Sequence, residues 1–291
     1  RNFDLYDNEG HFIKQLSLPH KTSKTASFAK AKEAFPGAIT NSELVGKIKY
    51  ALRSKGYDDQ KTLLATSLCC DEVNRPLEKD LSKLYDSNFN MGGLAGFPFG
   101  GKTSFGAMAA HIPDDGSCVV VYGPHVGVDS TGAVGTVERR GKTHGGACCG
   151  SAVAAAGFVG QVYNGDITID NDDALLDPLE AQQSFVGSLL LPHAQRLEEA
   201  DDKMVELPYA LYDAQSSLIK SIVSGGIAAA NDNLSQDAKI AVLGGIQINT
   251  PSSTPTTTTK GYSDYFLPLS FVLYDRDGNQ VDDLFLDTFY N

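Results

Sequence analysis

The sequence predicts an α/β fold with a mainly parallel sheet flanked by helices, and three observations point to it. Short apolar runs at Thr62–Leu68, Val119–Tyr122 and Ile240–Leu243 have the near-continuous hydrophobicity of strands buried on both faces. Between them lie stretches with apolar residues at helical spacing, such as Leu44, Ile48 and Leu52, which suit helices packed against a sheet. Chemically distinctive residues follow the first two runs, Cys69 and Cys70 after one and Gly123-Pro124-His125 after the other. A parallel sheet delivers its functional side chains at such strand ends.

Asn41-Ser42-Glu43 opens a helix over residues 41–55, and Gly56 stops it. After the first strand, Pro76 fits the first turn of a helix carrying Leu77, Leu81 and Leu84. Cys149-Gly150-Ser151-Ala152 starts a helix of small residues through Ala156. Residues 174–230 read as largely helical, interrupted at Pro192, with a second stretch from Leu211 to Ile227. The Thr- and Pro-rich tract Thr250–Lys260 is too polar to pack and reads as an exposed loop. Phe266–Tyr274 and a turn at Asp275–Gly278 predict a hairpin with Val281–Phe285. The expected organisation is one domain over residues 1–291, with a helical embellishment over about 1–58 and C-terminal strands over about 239–291.

With 42% hydrophobic and 21% charged residues, the chain has the balance of a soluble globular protein. No apolar run approaches the roughly 18 residues of a membrane-spanning helix. A net charge of −12 argues against a nucleic-acid partner, which calls for clustered Lys and Arg against phosphates. The chain begins at Arg1 without Met or a recognisable targeting segment, so the expectation is a removed leader or a start inside a longer precursor. Five cysteines, an odd count with no secretory signal before them, suit reduced thiols better than a disulfide framework.

Those thiols form the main chemical signal. Cys69-Cys70 and Cys148-Cys149 flank His125, and one Cys from each pair plus His125 makes three ligands. Three protein ligands leave the fourth tetrahedral position to water, the pattern of a catalytic rather than a structural zinc. Cys149 at a helix start is favoured as a thiolate by the helix dipole. The competing reading is buried structural thiols, since free cysteine packs as a small hydrophobe. His125 is preferred to His144, which lies in a glycine-rich loop and is expected to be exposed or supporting; His11, His20, His111 and His193 carry no partner signal.

A second motif competes. Gly96-Phe97-Pro98-Phe99-Gly100-Gly101-Lys102-Thr103 matches the phosphate-loop pattern of nucleoside triphosphatases. That loop follows a buried strand and opens a long helix. Asn88–Gly93 does not read as a buried strand, the helix after Thr103 ends before Pro113, Pro98 removes an N–H from the cradle, and no strand ending in a magnesium-binding Asp follows. The better expectation is a structural loop whose Phe97, Phe99 and Phe105 wall an apolar pocket beside the metal.

Ala65-Thr66-Ser67-Leu68-Cys69-Cys70-Asp71-Glu72-Val73-Asn74-Arg75, Gly96-Phe97-Pro98-Phe99, Gly123-Pro124-His125-Val126-Gly127 and Cys149-Gly150 together resemble the limiting-CO2-inducible B protein family of algae and diatoms, also called theta-type carbonic anhydrases. The resemblance covers roughly residues 40–250. It implies a fold like that of the beta-type carbonic anhydrases, a homodimer, and zinc held by Cys, His and Cys. In the beta-type pattern a carboxylate stands two residues after the first Cys, which maps onto Cys69 and Asp71, and the last Cys precedes Gly, which maps onto Cys149. The implied metal ligands are therefore Cys69, His125 and Cys149, with Asp71 as a catalytic residue. The arginine that normally follows Asp by two is replaced by Val73; Arg75 is the nearest candidate, with Arg139 and Arg140 as alternatives. The implied reaction is reversible hydration of CO2 to bicarbonate in a carbon-concentrating mechanism of the plastid. The rival reading is a catalytically silent zinc-containing structural or bicarbonate-sensing subunit, with a phosphate-loop nucleotidase less favoured.

Overall fold

The run that begins at Thr62 forms a strand whose six residues are all buried, because it lies inside a sheet covered by helices on both faces. The computed structural model describes residues 2–6, 12–17, 22–139, 142–169, 179–230, 234–251 and 264–290, with backbone alone for residues up to 25 and for 228–230. The first part of the chain forms β1 (Asn2–Tyr6), β2 (Phe12–Ser17), α1 (Thr22–Ala34), β3 (Ile39–Thr40), α2 (Asn41–Ser54), β4 (Thr62–Ser67), α3 (Arg75–Tyr85), β5 (Asn88–Asn90) and α4 (Gly101–Ala109). The middle forms β6 (Ser117–Tyr122), β7 (His125–Gly127), β8 (Thr136–Val137), β9 (Gly146–Ala147), α5 (Gly150–Tyr163), α6 (Ala181–Leu190) and α7 (Ala194–Glu198). The last part is α8 (Lys203–Ala230), β10 (Ile240–Asn249), β11 (Tyr265–Tyr274), β12 (Gln280–Asp283) and α9 (Phe285–Phe289).

The main sheet runs β12-β11-β10-β6-β4-β5, with β3 beside β11 and β7 beside β10. The pairs β5–β4, β4–β6, β6–β10 and β7–β10 are parallel, and β11 turns the edge antiparallel. Successive residues face opposite layers, as a strand requires. Cys118, Val120 and Tyr122 pack with α1, α4 and α8, whereas Val119 and Val121 pack with α2, α3 and α9. Leu64, Val119, Val121, Ile240 and Leu243 are wholly buried, each worth about 1.5–3 kcal/mol of apolar burial.

Helix α2 confirms its sequence signals. Thr40 caps it by accepting the Glu43 N–H, and Leu44, Ile48 and Leu52 are its buried stripe. Gly56 ends it in a left-handed conformation at φ 86°. The small-residue helix runs further than the sequence suggests, to Tyr163, because Ala152, Ala155, Ala156, Val159 and Gly160 form one continuous buried face. The apolar residues of α6–α8 are largely absorbed within the chain: Val186, Leu190, Leu197, Leu207, Leu211, Ile219, Val223 and Ile227 are all buried.

Two expectations need correction. The N-terminal embellishment is not wholly helical, since β1 and β2 form an antiparallel pair and β3 joins the main sheet. Asn88–Asn90 forms a three-residue strand paired with β4 that is partly exposed, in keeping with the expectation that it is not a buried strand. At the start of the expected exposed loop, Thr250 is buried and its N–H is held by Asp264. Residues 252–260 of that loop, like 174–178, His11, His20 and Arg140, lie outside the described residues. The C-terminal hairpin forms as expected, Val272 opposite Asp283.

Candidate metal centre

The connections around β4 create a crevice. From β4 the chain passes through α3, on one face, to β5 on one side; from β5 it passes through α4, on the other face, to β6 on the opposite side. Such a reversal of strand order leaves an opening at the carboxyl ends of the strands, where ligands bind in α/β sheets. Cys69 stands there, two residues beyond β4.

His125 arrives differently from the sequence expectation. It does not close β6 but opens β7, a short strand lying in parallel on β10 with His125 beside Gln247. The turn between β6 and β7 passes so close to β10 that a Cβ at Gly123 would lie 1.8 Å from the Gly245 carbonyl oxygen. Only glycine permits this approach. Cys149 is the N-cap of α5. The three residues converge: one ligand atom from each of Cys69, His125 and Cys149 lies within 4.8 Å of the others, all three residues being buried.

The donor set fits zinc. Cys69 Sγ and Cys149 Sγ are 3.8 Å apart, which is about the separation of two sulfurs each roughly 2.3 Å from a tetrahedral zinc. His125 Nδ1 is 2.8 Å from Asn249 Oδ1, while Nε2 is buried and, among the described residues, makes no hydrogen bond of ordinary geometry. A buried ring nitrogen with nothing to bind is an unmet cost in free energy that a metal ion would remove. The thiols are electrically unequal. Its hydrogen bond with Cys149, then burial, pushes the Cys69 thiol up to about 12. Cys149 is lowered, chiefly by that same hydrogen bond and, against burial, by the Ala152 N–H at the start of α5.

The remaining thiols divide. Cys70 is exposed. Cys148 is buried with Sγ 3.5 Å from His125 Nδ1, and Asp71, His125 and Cys148 form a second group of ligand atoms within 4.8 Å. His144 is exposed.

Asp71 begins a short turn after Cys69 and uses both carboxylate oxygens: Oδ1 accepts the Val73 N–H at 3.3 Å, and Oδ2 accepts from Arg139 Nη2 at 2.6 Å. Burial opposes its charge, but hydrogen bonding with Glu72, the His125 charge, the Val73 N–H and the Arg139 guanidinium outweigh burial and hold Asp71 below the usual carboxylate range. Arg139 Nε also pairs with Glu72 at 3.0 Å.

Arg75 does not partner Asp71. Its Nη1 pairs with Glu78 Oε2 at 2.5 Å, three residues on along α3, and its Nη2 donates to the Cys69 carbonyl at 2.8 Å. Helical spacing turns the side chain along its own helix.

The phenylalanine-rich loop is part of this centre only in part. Phe97 is wholly buried in the cluster that holds Cys69 and Cys149, with Phe99 against it and stacked edge-on to Phe185. Phe105 belongs to the other cluster, under α4 and the sheet, because α4 turns it inward. The loop is fastened to the β4 end by Ser67 Oγ to the Gly96 carbonyl at 2.8 Å and by Gln215 from α8 to the same oxygen. A Cβ at Gly92 would lie 2.1 Å from the Leu68 carbonyl oxygen, so one glycine just before the loop serves backbone packing. Lys102, exposed at the start of the nine-residue α4, lies across Gly225 of α8.

Sequence reasoning did not single out Asn249 or Asp264. Asn249 is a polar residue ending a ten-residue buried strand; that position, level with the His125 strand, was the available signal.

An α/β sheet that gathers two thiols and an imidazole at its point of reversed strand order is a carbonic-anhydrase-like arrangement with a candidate metal site. The sequence model of the family described as limiting CO2-inducible proteins B/C beta carbonic anhydrases matches residues 38–275, and the chain belongs to that family. The crystal structure of PtLCIB4, a homolog of the limiting CO2-inducible protein LCIB, is similar at 50% identity and a TM-score of 0.78, over 88% of this chain and 99% of that one. LCIB itself shares the fold, at 19% identity and a TM-score of 0.61 over 86% of this chain and 96% of that one. No curated protein sequence matches. Family membership supports a CO2-related, carbonic-anhydrase-like role. Among the described residues no helix is long and apolar enough to cross a membrane.

Proposed function

We propose that the protein is a zinc carbonic anhydrase catalysing reversible hydration of CO2 to bicarbonate. The observation that carries this reading is the juxtaposition of a buried Cys69–His125–Cys149 donor set with an Asp71 carboxylate paired to Arg139. Zinc with three protein ligands, when bound, lowers the pKa of a water from about 15.7 towards about 7, so a nucleophile is available at neutral pH.

The chain's own residues do the rest. An ionised carboxylate is an acceptor only, so Asp71 receives the hydrogen of the attacking oxygen and leaves its lone pair for carbon. Arg139 keeps that carboxylate charged and, by occupying Oδ2, keeps it from turning onto the metal ligands. The buried ligands and Phe97 exclude bulk water, which suits a small uncharged substrate.

The reading extends to a homodimer acting in the plastid, on the strength of the sequence resemblance alone. Stopped-flow CO2 hydration with zinc-loaded protein tests the enzyme: activity that rises with pH through about 7 is expected. A folded, zinc-loaded protein with no activity across roughly pH 6–9, about two units around that pKa, overturns it in favour of a silent zinc-containing subunit.

A further inference from the structure

We infer that Asn249, anchored by Asp264, sets the tautomer of His125 and so decides which ring nitrogen is offered to the metal; the identity of that metal rests on the zinc reading above. Alternation along β10 directs Ile246 and Ile248 into the layer of α1 and α8, and turns Asn249 the other way. It is 1% exposed there, a buried polar side chain whose hydrogen bonds are all accounted for.

The direction of each bond follows from one obligate acceptor. Asn249 Nδ2 lies 3.1 Å from the Val73 carbonyl oxygen and 3.4 Å from Asp264 Oδ2. A backbone carbonyl cannot donate, so the amide nitrogen must face Val73 and the amide oxygen must face the imidazole. That oxygen is 2.8 Å from His125 Nδ1 and can only receive a hydrogen, so Nδ1 carries the ring proton. With Nδ1 engaged by that oxygen, Nε2, which makes no hydrogen bond of ordinary geometry among the described residues, is the ring nitrogen free to meet a metal. Cys148 Sγ, 3.7 Å from the same amide oxygen, adds a weak donor on its second lone pair and does not reverse the assignment.

Asp264 holds the amide in this orientation. Its Oδ1 accepts the Thr250 N–H at 3.0 Å, and its carbonyl accepts the Asn41 N–H at 3.1 Å. Asn249 therefore ties together the His125 strand, the turn that carries Asp71 through Val73, and the start of β11. It touches neither substrate nor metal and acts as a positioning residue.

The test is long-range proton–nitrogen NMR on the zinc-loaded full chain labelled with 15N-histidine, together with zinc affinity by chelator competition. The expected pattern for His125 is a proton on Nδ1 and metal on Nε2. Asn249→Leu, similar in size and without polar atoms, is expected to lower zinc affinity roughly 10–100-fold and to lose the Nδ1–H signature. Metal on Nδ1 in the wild-type protein overturns the inference, and so does a folded Asn249→Leu with unchanged zinc affinity and an unchanged His125 pattern, since a purely structural role would move only the melting temperature. Should Asn249→Leu not fold, the wild-type pattern decides. If the wild type binds no zinc yet shows a proton on Nδ1 and none on Nε2, the zinc reading falls and the tautomer assignment stands.

Discussion

Arg139 Nη2 stands 2.6 Å from Asp71 Oδ2 although the two residues are 68 apart in sequence. The guanidinium comes from the end of the segment that leaves β8, so the carboxylate beside the candidate metal ligands is paired with a distant part of the chain. Asp71→Ala is expected to keep zinc and lose CO2 hydration by roughly 10–100-fold. Arg139→Ala is expected to let Asp71 rise towards the ordinary carboxylate range, moving the acid limb of the rate profile to higher pH, whereas Arg75→Ala leaves that limb in place. Rate profiles of the three variants decide, and an Arg75→Ala profile shifted like that of Arg139→Ala would contradict the pairing.

Metal content checks the donor set. About one zinc per chain is expected for the wild type, lost in Cys69→Ser, His125→Ala and Cys149→Ser. Cys70→Ser and Cys148→Ser are expected to retain it. Loss in Cys148→Ser would point to the alternative group of Asp71, His125 and Cys148.

Lys102 supplies the control for the phosphate-loop motif. It lies on α8 at Gly225, at the head of a short helix. Lys102→Ala is expected to leave zinc content and hydration unchanged, and calorimetry with ATP and magnesium is expected to show no binding heat. ATP hydrolysis abolished by Lys102→Ala would reverse this conclusion.

Asp264 predicts a pH dependence of stability. Burial, first of all, pushes its carboxyl up to about 7, against the hydrogen bonds from Thr250 and Asn249. The unfolded value is about 3.9, so between the two the folded chain holds a proton that the unfolded chain has lost. Stability from this group is full below about pH 4 and falls as pH rises towards 7, by up to ~1.4 kcal/mol per unit. Urea unfolding of wild type and Asp264→Asn at several pH values is expected to show the variant gaining on the wild type as pH rises. A difference independent of pH would show that Asp264 is ionised throughout.

Strands β4, β6 and β10 were legible because burial on both faces writes a continuous apolar run, and α2 because its cap, stripe and terminal glycine agree. Cys69 and Cys149 were legible because each sits at a strand end or helix start. Arg139 was less so: it lies in a polar stretch without periodicity, while Arg75 was nearer in sequence to Asp71 and yet turned along α3 to Glu78. β3, β7, β8 and β9, two or three residues each, are too short to carry an alternating pattern. Asn249 was hidden for the opposite reason, as the polar end of a strand otherwise read as core.

Among the described strands, β7 is paired in the main sheet with β10 alone. By residue 149 a growing chain already holds both candidate thiol ligands and the imidazole, but the strand that docks His125 is not made until residues 247–249. A fragment ending after α8 would carry every candidate ligand and still have no seat for His125. Capture of an ion by this donor set would therefore come late in synthesis, once the second half of the sheet has closed on the first, and a ribosome-released truncation is expected to bind metal no better than scattered thiols do.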